Sequence, residues 1–385
     1  MIPYGKQEIT QEDIQSVVKV LQSEYITQGS VVPEFEKRLC EYTGAKHATV
    51  TNSATASLHI ACLALGLSNE DVVWTSPITF IASANCARYC GAKVDFVDIE
   101  IDTALMCVES LKIKLEDAKK KGKLPKIVIV VHFAGQSCDM REIFYLSKKY
   151  NFKIIEDAAH SIGAKYDNEP VGNCKYSDIT VFSFHPVKII TTGEGGAALS
   201  NKPYLDKKMK ILREHGIVRD RDHMISDNEN QWYYEQQFLG FNYRMTDIHA
   251  SLGISQLKRL EGYVLKRQEL AKLYDREFKK IDYIKPLICK SNHFSSYHLY
   301  VIRVCKGIGV RDKLFSLLRK RGIGVNLHYI PVYRQPYYFN NKLLKNTEKY
   351  YNNALTLPLY PAMGKKNLNK VVSEVKHLIK DLGSR

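Results

Sequence analysis

Ile127-Val128-Ile129-Val130-Val131 is the stretch on which the fold turns. Five β-branched residues in a row, with no polar alternation, suit a strand covered on both faces. A parallel sheet sandwiched between helices creates that condition. Working outward, amphipathic segments at Val108–Lys121 and Arg141–Lys149 predict helices on either side, and Lys153-Ile154-Ile155-Glu156 predicts the next strand. Further strands are expected at His47–Thr51, Val72–Thr75, Val94–Val97, Ile179–Ser183 and Gly196–Leu199. Helices are expected between them at Val32–Tyr42, Ser53–Leu65 and Ile81–Tyr89, after a first helix opened by Thr10-Gln11-Glu12-Asp13 in capping-box form and running to Leu21. Strand–helix alternation on this scale predicts an α/β domain with a mainly parallel sheet.

The pattern then changes. Residues 214–240 are polar and aromatic and read as a long loop, a length that in compact enzymes often serves function. A long amphipathic helix is expected over Thr246–Arg267, a strand at Leu299–Val304, and helices at Val310–Arg321 and Asn367–Leu382. The division expected is a large domain over 1–260, including the N-terminal segment, and a smaller C-terminal α+β domain over 261–385.

Composition narrows the function classes. The 385 residues carry 45% hydrophobic content with 24 Tyr and 14 Phe, enough for a large core. No stretch approaches the length of a membrane-spanning helix, and the N-terminus lacks the apolar run of a signal peptide, so a cytoplasmic protein without membrane contact is expected. The nine Cys include no C-x-x-C pair, which points to buried thiols rather than a zinc site, and no metal is expected. The formal charge of +15 is scattered along the chain. Its densest run, Lys119-Lys120-Lys121-Gly122-Lys123, sits where a helix ends. That argues for no nucleic-acid partner, while the excess suits an anionic small substrate.

Three short segments carry chemistry. In Val181-Phe182-Ser183-Phe184-His185-Pro186-Val187-Lys188-Ile189-Ile190-Thr191-Thr192-Gly193-Glu194-Gly195-Gly196 a strand ends and Lys188 follows between apolar neighbours. Desolvation there lowers the lysine pKa and frees an amine able to attack an aldehyde, although the same pattern also fits a surface lysine in a Gly-rich loop. Glu156-Asp157-Ala158-Ala159-His160 follows a buried strand, at the edge where ligands bind in parallel sheets. Asp157 is placed either to meet a pyridine nitrogen or to cap a helix, and His160 either to touch a ligand oxygen or to satisfy backbone. Thr51-Asn52-Ser53-Ala54-Thr55 leads from a strand into a helix N-terminus, which suits a phosphate or an ordinary cap.

Taken together and in this order, Ser183-Phe184-His185, Lys188, Thr192-Gly193-Glu194-Gly195-Gly196 and Glu156–His160 resemble the DegT/StrS-type sugar aminotransferases. The resemblance runs from Tyr4 to the final helix. It implies a fold-type I pyridoxal 5'-phosphate (PLP) transferase, aspartate aminotransferase-like, with a seven-stranded sheet. By position it implies Lys188 as the Schiff-base lysine and proton shuttle, Asp157 at the pyridinium, His160 by the ring's 3-oxygen, and Phe80 stacked on the ring. Ala54, Thr55 and Ser183 would hold the phosphate, and Asn242 would reach the phosphate bound by the other subunit of a homodimer. Tyr4, Glu24-Tyr25-Ile26-Thr27 and His328-Tyr329-Ile330-Pro331 resemble sugar-nucleotide contacts in the branch that aminates a UDP-linked 4-keto-6-deoxy-N-acetylhexosamine with L-glutamate. Bacillosamine- or perosamine-type keto sugars, and a non-catalytic sugar-nucleotide binder, are the alternatives.

Overall fold

The structure is a computed structural model that describes residues 1–228, 230–306, 308–339 and 342–383. From the N-terminus run α1 (Gln11–Leu21), α2 (Val31–Thr43), β1 (His47–Thr51), α3 (Ala54–Ala64), β2 (Val72–Thr75), α4 (Ala82–Tyr89), β3 (Lys93–Phe96), α5 (Val108–Lys120), β4 (Ile127–Val131), α6 (Met140–Tyr150) and β5 (Lys153–Asp157). Short strands β6 (Lys165–Tyr166) and β7 (Glu169–Pro170) precede β8 (Ile179–Ser183), β9 (Gly196–Ser200) and α7 (Pro203–Arg213). The chain continues through β10 (Ile217–Val218), β11 (Glu235–Gln236), α8 (Asp247–Leu257), α9 (Leu260–Phe278), β12 (Ile284–Pro286), β13 (His293–Phe294) and β14 (Tyr300–Val304). It ends with α10 (Ile308–Lys320), α11 (Lys345–Asn353), β15 (Ala354–Leu357) and α12 (Gly364–Gly383).

The fold is α/β. Seven strands form one sheet in the order β1-β9-β8-β5-β4-β2-β3. All neighbours are parallel except β9, which runs antiparallel to both β1 and β8. The unbroken apolar run of β4 now has its reason. Ile127 and Ile129 pack with Leu58 and Ile60 of α3 and Met209 of α7 on one face. Val128 and Val130 pack with Leu111 and Leu115 of α5 and Ile143 of α6 on the other. Each such side chain contributes on the order of 1.5–3 kcal/mol on leaving water, so a polar residue on either face would cost the strand its place.

A separate three-stranded antiparallel sheet, β12-β14-β15, packs with α10, α12 and the second half of α9 in a C-terminal core. The N-terminus is stitched into it: Ile2 N–H donates to Gly322 O at 2.8 Å, Gly324 N–H returns to Ile2 O at 2.7 Å, and Leu359 N–H donates to Tyr4 O at 3.0 Å. We propose that the division between domains falls inside α9, between Val264 and Leu270, a few residues beyond the expected 260. The start of that helix (Leu260, Val264) packs with the large-sheet side, and its end (Leu270, Tyr274, Phe278) packs in the C-terminal core.

The expected single helix over Thr246–Arg267 is instead two, with a break at Lys258-Arg259. No Gly or Pro marks it. The first piece is walled in by α1 and α2. At the break Arg259 turns to α1, donating from Nη2 to Asp13 at 2.6 Å and from Nε to the Tyr263 hydroxyl at 2.9 Å. The described residues of 214–240 form the expected long connection, with the short antiparallel pair β10–β11 inside it. No helix of the described residues is long and apolar enough to cross a membrane.

Candidate active site

The chain's chemistry gathers at the carboxyl edge of the parallel strands. β5 ends in Asp157 and β8 in Ser183, and the antiparallel return to β9 carries Lys188 across that edge. The loop is anchored at its base: Phe184 N–H donates to Gly195 O at 2.9 Å, Thr192 N–H donates to Phe184 O at 3.0 Å, and the Phe184 ring lies 5.3 Å from Phe35 in the core. Lys188 N–H donates back to His185 O at 2.8 Å, forming the tight turn that aims the side chain into a cavity of about 570 Å³. Loss of water there pulls the lysine ammonium down to about 8, while the nearby Asp157 carboxylate works the other way. The half-buried Lys188 therefore holds roughly a tenth of its amine in the free form at pH 7, far more than an ordinary lysine.

Adjacent carboxylates at 156 and 157 go to opposite faces of β5, as strand geometry requires. Glu156 is held by His132 Nε2 at 2.6 Å and the hydroxyls of Ser177 and Thr180 at 2.5 and 2.9 Å, away from the cavity. Asp157 lines the cavity and is buried. Its Oδ1 accepts from Ala159 N–H at 3.1 Å and its Oδ2 from the Ser83 hydroxyl at 2.5 Å. Ser83, in the first turn of α4, carried no spacing signal in the sequence; the sheet order brings it to Asp157.

His160 is buried beside them. Its Nδ1 accepts from Ala134 N–H at 3.3 Å, and its Nε2 stands 3.2 Å from the Tyr329 hydroxyl. Burial first, then the charges of Lys188 and His328, hold this imidazole well below its ordinary range, so it is neutral. Two further imidazoles line the same wall. His328 Nδ1 is 2.9 Å from the Thr356 hydroxyl, and burial with Lys188 nearby takes it down to about 3. His298, absent from the sequence reading, lies ring to ring with His160 at 4.4 Å and is likewise held neutral by burial and by its neighbours.

The opposite wall is the N-terminus of α3. Ser53 caps it, its hydroxyl accepting from Ala56 N–H at 3.1 Å, and Ser53, Ala54 and Thr55 line the cavity beside Ser183. The helix end sits directly on β9: a Cβ at Gly196 would stand 2.5 Å from the Ala54 nitrogen, which only glycine tolerates. Gly193, at φ +84°, makes the reversal that leads into this strand.

Of the residues singled out in the sequence, Tyr4, Ala54, Thr55, Phe80, Asp157, His160, Ser183, Lys188, His328 and Tyr329 line this one cavity. Phe80 is 57% exposed, its ring 6.3 Å from Tyr329. Ile330 lines a second cavity that shares Phe80 and Tyr329 with the first, while Pro331 is buried beneath it. Glu24, Tyr25, Ile26, Thr27 and Asn242 lie on the surface, outside the lining of the cavity within one chain. Among the described residues no group of His, Cys, Asp or Glu is placed to hold a metal ion.

These parts fit PLP. A lysine amine near 8 suits an aldehyde, a buried carboxylate suits a pyridine nitrogen, and a capped helix N-terminus beside a serine hydroxyl suits a phosphate dianion. Fold and site together define a PLP-dependent aminotransferase of fold type I. Residues 7–376 match the DegT/DnrJ/EryC1/StrS aminotransferase family, and the chain belongs to it. It is 42% identical over 375 residues to a UDP-4-amino-4,6-dideoxy-N-acetyl-beta-L-altrosamine transaminase of Campylobacter jejuni, covering 95% of this chain and 94% of that one. Its structure resembles that of Helicobacter pylori PseC, an aminotransferase involved in pseudaminic acid biosynthesis, with a TM-score of 0.89 and 32% identity over 99% of each chain. It also resembles the putative sugar aminotransferase Spr1654 of Streptococcus pneumoniae in its pyridoxamine form, with a TM-score of 0.89 and 30% identity over 99% of this chain and 100% of that one.

Proposed function

We propose that this aminotransferase moves the amino group of L-glutamate to C4 of UDP-2-acetamido-2,6-dideoxy-β-L-arabino-hex-4-ulose. The product would be UDP-4-amino-4,6-dideoxy-N-acetyl-β-L-altrosamine, in pseudaminic acid biosynthesis. The single observation that carries the chemistry is the Lys188 amine, lowered to about 8 in the cavity that also holds the buried Asp157 carboxylate. The sugar assignment is supported by the similarity to the Campylobacter and Helicobacter enzymes.

When bound, PLP supplies an electrophilic carbon and a ring that spreads the charge left by a departing α-proton. The chain's own residues do the rest. Lys188 Nζ would accept the proton that leaves the donor's α-carbon and hold it for return as a general acid, and would run these roles in reverse at C4 of the sugar. Asp157 would meet the ring nitrogen and favour its protonated form, His160 would meet the ring oxygen, and Phe80 would cover the ring. The free N–H groups of Ala54 and Thr55 with the Ser183 hydroxyl hold the phosphate. Tyr4 and His328–Ile330 contact the sugar nucleotide, with the buried Pro331 supporting that segment from beneath, and the exposed segment Glu24–Thr27 does so across a homodimer interface. Asn242 reaches the partner's phosphate by the same route, which accounts for five site residues standing outside the cavity of one chain.

Lys188→Ala is expected to abolish turnover and the cofactor's visible absorbance; retention of both would refute the assignment. Purified enzyme incubated with glutamate and a panel of UDP-, GDP- and dTDP-linked 4-keto sugars, read by mass spectrometry, tests the substrate. Amination of the L-arabino UDP sugar is expected, and preference for a bacillosamine- or perosamine-type ketone would overturn that part.

A further inference from the structure

Asp157 is held from behind by a short chain of hydroxyls that the catalytic reading does not use. Ser83 is fully buried, and its hydroxyl donates to Asp157 Oδ2 at 2.5 Å. Thr79 Oγ1 lies 2.7 Å from Ser83 Oγ; because the Ser83 proton is spent on the carboxylate, the Thr79 hydroxyl is the donor in that contact. The other carboxylate oxygen takes Ala159 N–H at 3.1 Å.

We infer that Ser83, backed by Thr79, is a positioning residue that fixes the orientation and the charge of the Asp157 carboxylate, and through it the ring nitrogen of PLP. The inference rests on the reading of Asp157 given above. With one donor on each oxygen, the carboxylate cannot rotate without breaking a bond. Both donors bind the ionised form better than the neutral one, so they keep the proton on the ring side of the pair. In a buried site successive donors polarise one another, which strengthens the bond nearest the charge. Thr79 and Ser83 also flank Phe80, so the turn that offers a ring to the cavity is the same turn that clamps the carboxylate.

The test compares Ser83→Ala, Thr79→Val, Thr79→Ser and Asp157→Asn. Three quantities are read: melting of the apoprotein, the PLP dissociation constant, and the pH midpoint of the bound cofactor's visible absorbance band. A ring that loses its proton no longer repels a second positive charge beside it, so the midpoint moves up. Asp157→Asn is expected to move it most. Ser83→Ala should move it in the same direction and weaken PLP roughly ten-fold, the size of one hydrogen bond to a charged group. Thr79→Val should do the same more weakly, and Thr79→Ser, which keeps the hydroxyl, should restore the wild-type midpoint. A Ser83→Ala protein whose midpoint is unmoved, whatever its affinity, overturns the inference, provided Asp157→Asn shifts it. An unmoved midpoint in Asp157→Asn instead overturns the reading of Asp157 itself. Should Ser83→Ala fail to fold, an unmoved midpoint in Thr79→Val overturns the inference by the same logic.

Discussion

Replacing Gly196 by alanine should damage cofactor binding more than it damages the fold. The added methyl would stand 2.5 Å from both the nitrogen and the Cα of Ala54 and 2.7 Å from the carbonyl carbon of Ser53. All three are backbone atoms, so no side chain can swing aside. Gly196 is paired on both sides, with Thr51 of β1 and Ser183 of β8. The strand cannot retreat, and the start of α3 must move by roughly half an ångström or more to reach a tolerable contact, an overpacking cost of about 1–3 kcal/mol. That movement carries the Ala54 and Thr55 N–H groups away from the position proposed for the phosphate. Losing one hydrogen bond to a charged group costs ~1.5–3 kcal/mol, so the PLP dissociation constant should rise roughly ten- to hundred-fold. Apoprotein stability is measured by denaturant titration and PLP affinity by absorbance or quenching of intrinsic fluorescence. Gly262→Ala in α9 is the control: nothing lies within 4 Å of its Cβ position, and alanine there should be neutral or stabilising by up to about 1 kcal/mol. A Gly196→Ala protein with wild-type PLP affinity would refute the claim that this helix end grips the phosphate.

Two other perturbations separate parts of the site. With Lys188 in its proposed role, recapture of PLP by apoprotein needs the neutral amine, lowered to about 8, so the rate should climb roughly ten-fold per pH unit below that value and level off above it. The Asp157 carboxylate holds the amine up, so Asp157→Ala should move the break to lower pH; a break near the ordinary lysine value of ~10.4 would show a solvated amine instead. Asp247 is buried and ties down the proposed substrate segment: its N–H donates to Ile26 O at 3.0 Å, and its carboxylate accepts from Gly29 N–H at 2.7 Å and Val32 N–H at 2.9 Å just beyond the segment. Asp247→Ala should raise KM for the sugar nucleotide while leaving the glutamate half-reaction near its normal rate; stopped-flow of each half separately checks this, and equal loss in both would refute it.

The parts of this fold that were legible in the sequence are those whose burial is symmetric or periodic. Strands such as Ile127–Val131 and Val72–Thr75 announced themselves through β-branched runs, β9 (Gly196-Ala197-Ala198-Leu199-Ser200) has none, and the limits of all seven strands fall within a residue of those expected. The lysine and the Asp157 segment were legible because Asp157 closes one strand and Lys188 sits five residues beyond the end of another. What escaped depends on contacts across the chain. The break at Arg259 is set by Asp13, far back in α1. The helix Lys345–Asn353 is polar over most of its length, with Thr347 and Tyr350 buried, and it leads into the strand Ala354–Leu357, which completes the C-terminal sheet. Ser83 has no local signature at all, because its partner sits on a strand two places away in the sheet.

His298 escaped for the same reason, and it alters how proton traffic in the cavity is understood. Ala134 N–H can only donate, so His160 Nδ1 is an acceptor and its proton sits on Nε2, toward Tyr329. Among the described residues the Thr356 hydroxyl has no second acceptor, so it donates to His328 Nδ1 and leaves that ring's proton on Nε2 as well. His298 Nδ1 is buried without a partner, and a bare acceptor there costs less than a stranded N–H, which again puts the proton on Nε2. All three rings are held neutral by burial and by the charge of Lys188. They can donate hydrogen bonds, but none is in a state to take up a proton near pH 7. Asp157 already accepts from two donors. Set against His160, His298 and His328, the lysine is the base whose proton affinity lies nearest the working pH, which suits the role proposed for it, base in one half of the reaction and acid in the other.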